Sequence, residues 1–203
     1  MTFQLAYPVK RTFNLLALAP QIYVRDAQNR DLLYVKQKLL KLKEEVNVFS
    51  DESQSRQLYR IKADRIIDFS ARHPVTNVNG QEVGAIKRQG MASLWRATYD
   101  VFNGQMPEFQ IKEQSVFVRF MDGVLGEVPI LGMFSGYFFN PVYLVRRAGQ
   151  PDTAAPVMKM IKKPSFLERN FYIEKLDNSL TADQEERLLV CFLMAALLEK
   201  SRG

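Results

Sequence analysis

The sequence predicts a mainly β domain, an antiparallel barrel closed around one buried helix. Three observations lead there. The run LLVCFLMAALL, residues 188–198, passes without a polar side chain. Short segments of alternating polarity, separated by turn dipeptides, fill much of the preceding chain. Hydrophobic residues make up 47% and charged residues 25% of 203 residues, the balance of a folded domain and not of a disordered one. A helix greasy on every side must be enclosed, and a sheet that closes on itself encloses it while removing its own edges.

The helix is expected near 181–200. Thr181 and Gln184 have the spacing of a capping box, in which each side chain satisfies the other's backbone N–H. Asp183, Glu185 and Glu186 fall in the first turns, where the helix dipole favours negative charge, and Lys200 and Arg202 lie near the other end. Eleven apolar residues are too few for a membrane, because a span needs about 20.

The strands follow in order. Residues 32–43 (LLYVKQKLLKLK) fit neither period cleanly and are assigned to a strand. Val46 and Val48 alternate with polar neighbours before the polar turn DESQS. Residues 58–62 and 65–71 are the next two strands. Residues 75–78 run into Asn79-Gly80, a hairpin dipeptide whose members tolerate positive φ. Residues 82–88 return, and Gln89-Gly90 turns the chain again. In SLWRATYDVFNG, Trp95, Ala97, Tyr99 and Val101 share one face, and Asn103-Gly104 ends the strand. After a less regular middle, strands resume at 142–147, 157–162 and 166–175. Residues 1–30 and 105–114 receive no strand.

The order of segments resembles the tubby C-terminal-like superfamily, in its branch of LURP-one-related proteins and phospholipid scramblases. The likeness is carried by LYRIKADRIIDFSARHPVTNVNGQEVGAIKRQGMASLWRATYDVFNG, FFNPVYLVRR, VMKMIKKPSFLERNFYIEK and the acidic lead-in to an apolar C-terminal helix, together roughly residues 30–200. The resemblance implies one domain over 1–203, a closed antiparallel barrel of about twelve strands around that helix. It also implies a binding module in place of an enzyme. Tubby-type domains bind membrane phosphoinositides through basic side chains, and scramblases are associated with bilayers and calcium.

Lys and Arg exceed Asp and Glu by 28 to 22, a net charge of +6 that attracts anionic partners weakly. Its groups are Lys36, Lys38, Lys41 and Lys43; Lys87 and Arg88; Arg146 and Arg147; and Lys159, Lys162 and Lys163. These are the candidate residues for an anionic phospholipid surface. The plainer alternative is a solvated exterior whose lysines keep sheets apart. A protein partner is the competing reading, and nucleic acid has no helix-turn-helix, RNP-like or zinc-finger pattern behind it. The uncharged stretch 128–145 is long enough for a bilayer, but Pro129, Gly132, Gly136 and Pro141 interrupt it, which suits a short helix and loop packed on a core. The preceding segment 115–128 is the candidate for that helix. A scramblase-like role would need this stretch to enter the membrane.

No reaction is legible. His73 is the only histidine, and Cys191, the only cysteine, sits within the apolar run. There is no phosphate-binding loop, dinucleotide fingerprint or calcium loop, so neither a cofactor nor a metal is assigned. One cysteine precludes a disulfide within the chain, and the first twenty residues lack the pattern of a secretory signal. Both point to the cytoplasm, with the protein at most peripheral to a membrane.

Overall fold

The computed structural model describes residues 5–14, 21–36, 45–62, 71–89, 97–114, 142–163 and 168–200. Twelve strands form one closed barrel: β1 (Val9–Asn14), β2 (Gln21–Arg25), β3 (Asp31–Lys36), β4 (Glu45–Phe49), β5 (Gln57–Lys62), β6 (Arg72–Asn77), β7 (Glu82–Arg88), β8 (Thr98–Asn103), β9 (Met106–Glu113), β10 (Val142–Arg147), β11 (Met158–Lys163) and β12 (Glu168–Lys175). Each strand pairs antiparallel with its neighbours in sequence, and β1 pairs with β12 to close the circuit. One helix follows, α1 (Ala182–Lys200).

Three of these strands are additions to the sequence reading: β1, β2 and β9. Others shift at their ends. The strand expected at 166–175 is described from Glu168, since residues 166 and 167 lie outside the described residues, and Val78 leaves its strand for the turn. Of the strand expected at 32–43, residues up to Lys36 form β3. The rest of that segment, most of 65–71, Trp95 and the helix expected at 115–128 lie outside the described residues. Residues 142–145 of the uncharged stretch belong to β10, so that stretch is not one continuous helix.

The side chains alternate as the period of a strand requires. Ile22 and Val24 on β2 face inward with Leu33 and Val35 on β3, and Tyr59 and Ile61 on β5 do the same, all nearly inaccessible. Turn chemistry sets the hairpins. Between β6 and β7, Gly80 takes φ +77° and donates its N–H to the Asn77 carbonyl at 3.0 Å, while the Asn77 side chain accepts from the N–H groups of Asn79 and Gln81. Gly104 takes φ +58° in the β8–β9 turn. Positive φ carries a steric cost for a side chain, and glycine has none.

The helix begins as its capping box foretells. The Thr181 N–H donates to Gln184 Oε1 at 3.1 Å, and the Gln184 N–H donates to Thr181 Oγ1 at 3.3 Å. Residues from Glu185 through Ala195 are buried on every side. The helix touches strands all round the circuit: Arg11 of β1, Tyr59 of β5, Ala85 of β7, Glu108 of β9 and Lys175 of β12. It therefore runs through the barrel. It lies against β7, where Gly84 leaves the space. A Cβ there would come within 2.6 Å of Arg187 Cγ.

Candidate functional site

Antiparallel meandering gives the barrel two unlike ends. Odd-numbered strands start at the mouth where the helix enters and finish at the opposite mouth. Even-numbered strands do the reverse.

At the entry mouth, three consecutive helix residues hold three sectors of the wall. A helix turns about 100° per residue, so neighbours in sequence point to different parts of a surrounding barrel. Glu185 accepts from the Tyr7 hydroxyl at 2.9 Å and pairs with Lys175. Glu186 accepts from the Tyr59 hydroxyl at 2.6 Å. Arg187 donates to the Val83 carbonyl at 2.9 Å and pairs with Glu108 at 2.7 Å, while Gln184 donates to the other Glu108 oxygen at 2.8 Å. All three helix residues are buried, which these partners make tolerable. Burial first, and then the facing carboxylates, holds the Tyr7 and Tyr59 phenols well above their ordinary value of 10.0.

Three further ion pairs stand at this end. Arg25 pairs with Asp31 at 2.6 Å, Arg30 with Asp26 at 2.6 Å and Arg147 with Asp177 at 3.3 Å. The large hydrophobic residues that are exposed among those described, Val78, Met106 and Leu176, stand on turns or strand ends of this same mouth.

The sequence-predicted basic residues divide between the ends. Arg146 and Arg147 end β10 at the entry mouth. The Arg146 Nε donates to the Ala154 carbonyl at 2.8 Å, and Arg147 also donates to the Ser179 hydroxyl at 3.1 Å. Lys159 pairs with Glu174 on the flank at 3.0 Å. The others described mark the opposite mouth. Lys36 ends β3 and is exposed, and Lys87, near the end of β7, is exposed. Asp100, opposite Lys87 in register, is held by Gln89 and Gln110. Lys162 is half-buried opposite Phe171, and Lys163 is the last residue of β11. Lys38, Lys41 and Lys43 lie outside the described residues.

Arg88 departs from the surface role expected of it. It is opposite Tyr99 in register, faces inward and is only 6% exposed, with its guanidinium 5.9 Å from the Tyr99 ring centre. Strand alternation turns Lys87 out and Arg88 in. A further inward cation escaped the sequence reading. Arg11 is buried, lies 4.1 Å over the Phe171 ring, and donates to the Phe192 carbonyl at 3.3 Å. Its position at period 2 from Val9 is the signal that could have found it.

The two residues with reactive side chains are both enclosed. Cys191 is fully buried, burial pushes its thiol up to about 12, and Sγ lies 3.7 Å from the Ala85 carbonyl oxygen. A protonated, packed thiol is a poor nucleophile. His73 is 2% exposed. Among the described residues no cluster of three or more His, Cys, Asp and Glu is placed to hold a metal ion, and no helix is long and apolar enough to cross a membrane.

Comparison with known proteins gives the architecture a family. No curated protein matches the chain. The X-ray structure of a protein from Arabidopsis thaliana is similar to it, with 14% identity, a TM-score of 0.49, and coverage of 98% of this chain and 94% of that one. The description LURP-one-related attaches to a family whose model matches residues 32–194, the greater part of the barrel and of the helix within it, and the chain belongs to that family.

Proposed function

We propose that this chain is a non-enzymatic binding module for an anionic membrane surface or phosphoinositide headgroup, acting in the cytoplasm and peripheral to the membrane. The observation that carries the reading is how the cations are matched. Where the barrel carries Arg25, Arg30, Arg147, Lys159 or Lys175, a carboxylate sits against each of them. Exposed Lys36 and Lys87 have no ion-pair partner among the described residues. Lys36 and Lys87 are therefore available to an anionic partner, in a chain whose net charge is +6. A lysine near an anionic bilayer contributes about 1 kcal/mol, so several acting together give measurable attachment. The helix-filled interior also disfavours a carrier, which needs an open lumen.

Co-sedimentation with neutral, anionic and phosphoinositide-bearing vesicles tests it. Attachment to charged vesicles alone, weakening as salt rises, is the expected result. Absence of attachment to every vesicle would remove it.

A protein partner is the second reading, favoured by one observation. Val78, Met106 and Leu176 are exposed at separate points around the entry mouth, among ion pairs that mask the charge around them. Exposed apolar side chains bordered by polar groups are what protein interfaces use. Capture of one stoichiometric partner, lost in Met106→Asp, would favour it.

A further inference from the structure

We infer that the opposite mouth is the membrane-facing end, so that the barrel docks end-on with its axis across the bilayer plane. This rests on the anionic-surface reading above and adds the site and the orientation.

Strand polarity carries the inference. Of the six odd strands that finish at this mouth, five finish on or within one residue of a lysine: Lys36 on β3, Lys62 on β5, Lys87 on β7, Lys112 on β9 and Lys162-Lys163 on β11. β1 ends on Asn14. Alternate strands of a twelve-stranded circuit are spaced by roughly 60° about the axis, so these strand ends, far apart in sequence, are distributed around one mouth. Lys112 drops out of this set, because its amine is drawn to Asp152 of the β10–β11 connection on the entry side, whereas Lys36 and Lys87 are exposed. The end of a cylinder meets a plane at many points together, whereas a flank meets it along a line.

The remaining surfaces are less suited. At the entry mouth Asp26, Asp31 and Asp177 are engaged by Arg30, Arg25 and Arg147, and Asp183 and Glu52 are exposed beside them, while Glu45, Glu113 and Glu168 stand at strand ends of the opposite mouth. On the flank Lys159 is neutralised by Glu174.

Two charge-matched double variants test the orientation on the full chain. Lys36→Glu with Lys87→Glu alters the opposite mouth. Lys10→Glu with Arg56→Glu makes the same change in charge in the entry half. Vesicles of neutral lipid with an anionic fraction, at about 0.1 M salt, are titrated with each variant, and unchanged melting curves establish that both are folded. The expected result is a loss of about tenfold or more in vesicle affinity for the first variant and a loss within about threefold for the second. Equal losses would overturn end-on docking and leave the anionic-surface reading standing. Wild-type chain that binds no vesicle would overturn both. Equal affinity for duplex DNA, lost in the same first variant, would assign these lysines to nucleic acid.

Discussion

The two mouths of this barrel solve opposite problems. At the entry mouth, charges are taken out of water and each is given a partner, so Glu185, Glu186 and Arg187 fix the helix against three parts of the wall. At the opposite mouth, Lys36 and Lys87 stay in water. Buried charge sets rotation and depth with directional bonds. Solvated charge adds little to folding but remains available to something outside. One end is therefore expected to govern stability, and the other binding.

The sharpest way to break the comparison is Arg187→Ala. It strips Glu108 of its ion pair and should cost about 3–5 kcal/mol, a fall in melting temperature of roughly 10 °C or more. An unchanged melt would show that the buried collar does not hold the helix. Tyr59→Phe removes the donor to Glu186 and should cost about 1–3 kcal/mol by denaturant titration. Gly84→Ala sets a methyl group against Arg187, and the same assay should give a loss of about 1–3 kcal/mol.

Alkaline pH probes the collar without mutation. Tyr7 and Tyr59 have folded-state values raised above the ordinary 10.0, so the folded state keeps protons that the unfolded state releases. Their contribution is fully present below pH 10 and falls as pH rises beyond it. The combined Tyr7→Phe and Tyr59→Phe variant should show a shallower decline above pH 10 in urea midpoints. The smallest effect belongs to the other end. Lys36→Gln with Lys87→Gln should change stability by no more than about 0.5 kcal/mol. A large loss there would mean that these lysines support the fold.

What the sequence revealed depended on whether a signal was local. The capping box of Thr181 and Gln184 and the apolar run after it stand within a few residues of each other, and both appear in the structure as read. Asn79-Gly80 was equally legible, although only Gly80 takes positive φ. β1 escaped because one of its inward positions is Arg11, which inverts the expected alternation. In β9, Phe109 and Ile111 alternate correctly, but Met106 and Pro107 before them interrupt the strand signal. These omissions hid the strand polarity. Which mouth a lysine occupies depends on counting strands, and a missed strand reverses the answer for those beyond it. The basic groups were found as groups, but their common end required the closed circuit. Arg88 shows the same limit within one strand, since a basic pair looks like one patch until alternation separates its members.

The core helix follows all twelve strands, and its carbonyl at Phe192 is met by Arg11 across 181 positions of sequence. During synthesis the inward faces of the sheet must wait for the element that fills them. Contacts so distant in sequence make folding slow, and a half-made wall offers unpaired edges and apolar surface meanwhile. A nascent chain halted at Thr181 should stay protease-sensitive and hold chaperones, while one extended through Lys200 and released should become resistant in a single step. The order of elements thus makes the final helix a completion signal for the whole barrel.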